Sequence, residues 1–170
     1  MTTIGRFSMY VIETRVDETG LRIWSWILVG SNEKQIRTMI AYQPCTPART
    51  SKGGTVFEQH PRFFEQRADF CSPITIFYKH LVSQIILWQA RNKEIVLYGD
   101  FNEHVYTRRI AKLLAKGDLL IQEQCQFSTK EQLPATFLYR PRLTDRVFTT
   151  PGIFVRNTIF LRRRSGVGDH

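Results

Sequence analysis

Four consecutive apolar residues, Ile95-Val96-Leu97-Tyr98, follow the charged pair Lys93-Glu94 and stop at Gly99. A run this short and this uniformly apolar reads as a strand buried on both faces, inside a sheet rather than at its edge. The rest of the chain must therefore flank and cover it. Upstream, residues 21–29 read as a strand with Trp24, Trp26 and Leu28 on one face, while Ile23, Ile27 and Val29 keep the other face apolar. Gly30-Ser31-Asn32-Glu33 forms a turn, and residues 36–42 resume as a second strand ahead of Pro44. So short a polar connection predicts an antiparallel hairpin.

Helical signals are equally local. Ser72 is a suitable cap and Pro73 suits the first helical position, where a missing N–H is harmless. Ile74, Phe77, Leu81, Ile85 and Trp88 then recur at spacings of three and four, predicting a helix through about Ala90. A shorter helix is expected after Thr107, with Ile110, Leu113 and Leu114 inward and a stop at Gly117. Residues 46–54 read as a loop, and the segment from there to Phe70 as irregular or briefly helical, anchored by Phe57, Phe63 and Phe64. Residues 119–121, 146–149 and 153–161 read as further strands. The pattern predicts a mixed α/β (α+β) chain, with a sheet layer covered by helices.

A length of 170 residues, 42% hydrophobic and 23% charged, suits one domain with a real core and excludes a disordered chain. Apolar runs reach only four residues, as in Ile85-Ile86-Leu87-Trp88, too few to span a bilayer. The first 15 residues lack a sustained apolar stretch, so a cleaved signal peptide is not expected. Cys45, Cys71 and Cys125 are odd in number and widely spaced, which predicts an intracellular (nuclear or cytoplasmic) protein without a disulfide framework.

The net charge of +9 is concentrated near the C-terminus. Residues 138–168 hold seven arginines (Arg140, Arg142, Arg146, Arg156, Arg162, Arg163 and Arg164) against one acid, Asp145. Guanidinium groups present paired donors to phosphate oxygens, so the cluster reads as a surface for a polyanionic partner, with a solvated basic face as the alternative.

Asp100 and Asn102 leave the end of the buried strand, where open α/β sheets place ligands. Their hard oxygens suit Mg²⁺ or Mn²⁺. The alternative is a Gly-Asp turn closed by an Asx hydrogen bond. Asp169-His170 pairs a carboxylate with an imidazole, suited to metal or base duty, with a frayed tail as the alternative. Asp145 reads either as a site carboxylate or as a salt-bridge partner of Arg142 or Arg146.

Taken in order, Tyr42-Gln43-Pro44 after a strand, Gly99-Asp100-Phe101-Asn102 after a strand, Thr144-Asp145-Arg146 before a strand, and Gly168-Asp169-His170 form a pattern. This order resembles the endonuclease/exonuclease/phosphatase superfamily, the DNase I-like fold. The local flavour looks like members in eukaryotic genomes that are often associated with mobile elements. The resemblance implies a two-sheet β-sandwich flanked by helices, and a divalent-metal-dependent hydrolase of phosphate esters. It implies Asp100 as metal ligand or water-positioning group, Asn102 and Tyr42 as phosphate contacts, Asp145 as the carboxylate orienting His170, and Asp169 as a second metal ligand. The implied cofactor is Mg²⁺ or Mn²⁺, and the favoured substrate is a nucleic-acid phosphodiester. A non-catalytic nucleic-acid-binding remnant, or a phosphatase of inositol or another small polyanionic phosphate, are the alternatives. The family's earlier metal-ligand glutamate has no counterpart before Gly20, and Glu13 lies in the wrong context to be assigned to it. The expectation is therefore a single partial domain over residues 1–170, with the sandwich incomplete and the activity weakened or lost.

Overall fold

The computed structural model describes residues 9–17, 23–46, 54–68, 70–103, 109–116, 119–124 and 144–156. Within these, the strands are β1 (Val11–Val16), β2 (Trp24–Gly30), β3 (Gln35–Tyr42), β4 (Glu94–Asp100), β5 (Gln122–Glu123) and β6 (Asp145–Thr149). The helices are α1 (Val56–Glu65), α2 (Pro73–Gln89) and α3 (Arg109–Leu114). The strands form one six-stranded sheet in the order β1-β2-β3-β4-β6-β5. The class is α+β, and the described residues supply one sheet where the resemblance implies two.

The apolar run takes the interior position its composition demands, since β4 lies between β3 and β6. Ile95 and Leu97 are fully buried, whereas Val96 and Tyr98 on the opposite face are half-buried. Burial is thus complete on one face only. The predicted hairpin forms, with β2 and β3 antiparallel from Trp24 opposite Ala41 to Gly30 opposite Gln35. The Ser31 N–H closes its turn on the Lys34 carbonyl at 3.0 Å. β3 and β4 run parallel, from Ile36 opposite Glu94 to Tyr42 opposite Asp100. The remaining pairings are antiparallel.

One face of the sheet is covered by α2. Ser72 caps this helix by accepting the Thr75 N–H at 3.2 Å, and Pro73 opens it. Ile76, Phe77, Leu81, Ile85 and Trp88 form the buried stripe, while Ile74 is half-buried at its margin. Trp88 meets Trp26 edge-on, with ring centroids 5.4 Å apart. Phe101 bridges layers, at 6.4 Å from Phe77 and 5.5 Å from Phe148. Edge-to-face contacts of this kind add stability beyond the area they bury.

Two elements differ from expectation, and a third resolves an open reading. The segment read as irregular or briefly helical holds a ten-residue helix, α1, so its helical reading is the one that forms. Thr55 and Glu58 make a reciprocal capping box: the Glu58 N–H reaches Thr55 Oγ1 at 3.3 Å, and the Thr55 N–H reaches Glu58 Oε2 at 3.0 Å. Strand β1 forms where no strand was expected, because an edge strand needs only alternate burial and tolerates Glu13 and Arg15. The strand expected at 119–121 begins later, since Leu120 adopts a left-handed φ of 45° and pairing is confined to Gln122–Glu123. Thr107 and residues 157–161 lie outside the described residues, and residues 153–156 are not strand. Ile110 and Leu114 of α3 are buried as expected, and Leu113 is half-buried.

His60 of α1 is fully buried, and neither ring nitrogen has a hydrogen-bond partner among the described residues. Burial holds its pKa below the usual histidine value, Asp17 offsets part of this, and His80 adds to it. The neutral ring therefore stabilises the fold above the unfolded pKa of about 6.5, and this is lost as pH falls through the lowered folded value. Urea titrations of His60→Leu at neutral and mildly acidic pH are expected to show a shallower acid-side loss than wild type. The difference approaches ~1.4 kcal/mol per pH unit within that window.

Candidate active site

Parallel pairing of β3 and β4 brings Tyr42 directly beside Asp100, and antiparallel pairing of β4 and β6 brings Asp145 opposite Asp100 from the other side. Three adjacent strands thus deliver Tyr42, Asp100 and Asp145 to one row at one end of the sheet. Alternation puts all three side chains on the face opposite α2. Gly99 makes this row possible. A Cβ at Gly99 would lie 1.8 Å from the Ala41 carbonyl oxygen, so only glycine lets the two strands stay paired right up to the acidic residue.

Backbone bonds then fix the loops beyond the row. The Gln43 N–H donates to the Asp100 carbonyl at 2.9 Å, and the Phe101 N–H donates to the Thr144 carbonyl at 3.1 Å. Asn102 has a left-handed φ of 47°, a conformation asparagine tolerates better than most residues. Its N–H donates to Asp100 Oδ1 at 2.8 Å, and its Nδ2 donates to the Gln43 carbonyl at 2.6 Å. The Asx turn expected as an alternative to a site is therefore formed, and it is also what anchors Asn102 beside Asp100. Turn and site coincide.

The Tyr42 hydroxyl lies 3.8 Å from Cys45 Sγ. Its pKa is pushed up to about 12, first by burial, then by the Cys45 thiol, with the Asp100 charge adding and the Asn102 hydrogen bond opposing. At neutral pH the phenol keeps its proton and presents a donor rather than a charge.

Beneath the row lies a buried polar layer that the sequence did not reveal. Arg146 is fully buried and grips Glu123 through two bonds, Nε to Oε1 at 2.5 Å and Nη2 to Oε2 at 2.9 Å. Its Nη1 donates to Glu103 Oε1 at 2.7 Å, which also accepts the Ile110 N–H at 2.9 Å. The Tyr78 hydroxyl donates to Gln43 Oε1 at 2.6 Å, with Glu103 Oε2 at 3.4 Å. Burial pushes the Tyr78 phenol up, and the Glu103 charge adds to this. The signal was present in the parity of Asp145-Arg146. Neighbours in a strand face opposite ways, so a site-facing Asp145 sends Arg146 into the core.

This corrects two expectations. Arg146 is not part of a phosphate-facing basic surface, because its guanidinium is consumed internally by Glu103 and Glu123. Nor do those bonds leave it as the salt-bridge partner proposed for Asp145, from which it points away. Arg156 is exposed, whereas Arg140, Arg142, Arg162, Arg163 and Arg164 lie outside the described residues. Asp169, His170 and Cys125 also lie outside them. Cys45 and Cys71 are exposed and form no disulfide.

Among the described residues, no group of three or more His, Cys, Asp or Glu side chains gathers as a metal centre. Asp100 and Asp145 do supply two hard carboxylates facing each other across paired strands. Such a pair repels by ~4 kcal/mol at about 4 Å and an effective dielectric of about 20. Mg²⁺ takes one or two carboxylates and keeps water in its other positions, so the donor set fits it.

Compared with protein-family models and with curated proteins, the chain matches none. Solved structures do resemble it. The human Nocturnin catalytic domain with bound sulfate aligns with a TM-score of 0.48 at 14% identity, covering 83% of this chain and 48% of that one. A beta-hairpin deletion mutant of Staphylococcus aureus beta toxin aligns with a TM-score of 0.46 at 13% identity, covering 86% and 52%. Another Staphylococcus aureus beta toxin structure aligns with a TM-score of 0.43 at 12% identity, covering 75% and 42%. The chain spans about half the length of the structures it matches. No described helix is long and apolar enough to cross a membrane.

Two measurements follow from this geometry. Arg146→Met leaves two buried carboxylates uncompensated and is expected to destabilise the fold by about 3–5 kcal/mol in urea unfolding. Adding Glu123→Leu is expected to recover part of that loss. The raised Tyr42 pKa stabilises the fold fully below about pH 10, and this is lost as pH rises towards the folded value of about 12. Tyr42→Phe should therefore reduce the alkaline loss of stability.

Proposed function

We propose that this chain is a metal-dependent phosphoesterase domain of the endonuclease/exonuclease/phosphatase type, acting on nucleic-acid phosphodiesters. The observation that carries this reading is the single row of Tyr42, Asp100 and Asp145, with Asn102 tied beside it by bonds to Asp100 and Gln43. Of the residues that the motif order singled out, Tyr42, Asp100, Asn102 and Asp145 lie at one sheet end, although they are separated by up to about a hundred positions in the chain. The net charge of +9 and the six arginines of residues 138–168 other than Arg146 support a polyanionic substrate.

Asp100 and Asp169 would hold Mg²⁺ or Mn²⁺, with Asp145 facing Asp100. A divalent cation there offsets carboxylate repulsion and the charge that builds on a phosphoryl group in transfer. The chain's own residues supply the positioning. Tyr42, with its proton retained, donates to a phosphate oxygen without repelling it. Asn102, held by its amide on the Gln43 carbonyl and beside the Tyr42 hydroxyl, contacts the scissile phosphate. Asp145 orients the His170 imidazole and fixes its tautomer, as a carboxylate does in other hydrolases. Asp100 aligns the attacking water. The domain is read as one partial unit over residues 1–170.

Plasmid nicking in Mg²⁺ or Mn²⁺ tests this directly. Wild type is expected to nick, and Asp100→Ala and His170→Ala to lose roughly a hundredfold or more. Nicking that survives both substitutions unchanged sinks the assigned site. Absence of nicking alongside salt-sensitive DNA binding replaces hydrolysis with the binding remnant.

A further inference from the structure

All three tryptophans of the chain, Trp24, Trp26 and Trp88, border one cavity of about 950 Å³. The cavity lies between the outer strands β1 and β2 and the last turns of α2. Gln84, Leu87 and Arg91 share its lining with Trp88, a spacing that makes one helix face the wall. None of the lining residues belongs to the Tyr42–Asp100–Asp145 row.

Arg37 is the informative group. Its side chain is only 5% exposed, and its guanidinium carbon sits 4.2 Å from the Trp26 ring centroid and 5.1 Å from that of Trp88. Glu13 reaches it at 3.8 Å, but the other Glu13 oxygen is taken by Arg15 at 2.8 Å. The Arg37 Nε has no hydrogen-bond partner among the described residues. A buried cationic donor without an acceptor is costly and rare. Arg91 also lines the cavity, so three guanidiniums face one carboxylate and leave a surplus of two positive charges. Burial lowers the Arg37 pKa, Glu13 offsets part of this, and Arg91 and Arg15 add to it.

We propose that this cavity binds a small phosphate monoester carried on a flat ring, a ligand of the mononucleotide class. A phosphate monoester carries a charge of about −1.5 to −2 at neutral pH and matches the surplus, whereas a carboxylate leaves half of it unanswered. Guanidinium forks fit phosphate oxygens, and indole faces accept a flat ring by stacking. The volume falls in the usual range for small-molecule sites. The phosphate engages Arg37 and Arg91, and the ring lies against the half-buried Trp24, since Trp26 and Trp88 are buried with Arg37 packed over their rings.

Because every tryptophan borders the cavity, intrinsic tryptophan fluorescence reads its occupancy without a label. The full chain is titrated with adenosine 5′-monophosphate, adenosine and inorganic phosphate in the presence of a chelator, so that metal-dependent hydrolysis plays no part. Saturable quenching by the monophosphate is expected, with adenosine and inorganic phosphate each roughly tenfold or more weaker. Arg91→Ala and Arg15→Ala, both at exposed positions, are each expected to weaken monophosphate binding by roughly tenfold. Arg37→Met is expected to abolish it. The proposal is overturned by non-saturable quenching, by adenosine or inorganic phosphate binding as tightly as the monophosphate, or by unchanged affinity in both exposed-arginine variants.

Discussion

The parallel pairing of β3 with β4 is the constraint from which the candidate active site follows. A parallel pair requires a long crossover, and α1 and α2 lie within the one that joins these strands. The same crossover delivers α2 to the sheet face that β4 must bury. It also aligns two strand ends that are far apart in the chain, so that Tyr42 and Asp100 become neighbours. Gly99, pressed against the Ala41 carbonyl, keeps that alignment intact to the last paired residue.

Support for the row is electrostatic as well as geometric. Arg146, Glu103 and Glu123 form a buried ionic layer tied through Tyr78 to Gln43, and Gln43 in turn accepts Asn102. Buried ion pairs are weak net stabilisers, because desolvation offsets most of their attraction. Their value here is positional. Glu103 follows Asn102 by one residue, so anchoring its carboxylate to Arg146 and to the Ile110 N–H also anchors the turn that carries Asn102.

Much of this architecture was legible in the sequence where a single local rule sufficed. The Ile95–Tyr98 run named the interior strand, the short polar turn named the β2–β3 hairpin, and Ser72-Pro73 named the start of α2. Asp100 and Asn102 were legible as strand-end polar residues, Tyr42 and Asp145 only through the motif order, and the four lie at one sheet end. What was missed rested either on a local signal masked by its neighbours or on long-range pairing. Strand β1 carries no apolar alternation strong enough to distinguish an edge strand from a tail. The capping box of α1 was present at Thr55 and Glu58 but was masked by Pro61 and a mixed aromatic pattern. The destination of Arg146 depended on long-range pairing with Glu103 and Glu123, since charge counting treats every arginine as surface.

The adjacency of Asp145 and Arg146 has a consequence for how the chain finds its pairing. Successive residues in a strand face opposite sides, so β6 carries an anion for one face and a cation for the other. A slip of one residue against β4 would push the Asp145 carboxylate into the core and turn both Phe148 and the Arg146 guanidinium outward, the latter away from Glu103 and Glu123. Both errors are penalised together, whereas an apolar pair would tolerate the slip far better. The two opposed charges thus serve as a register lock for the strand, independent of any chemistry performed at the sheet end.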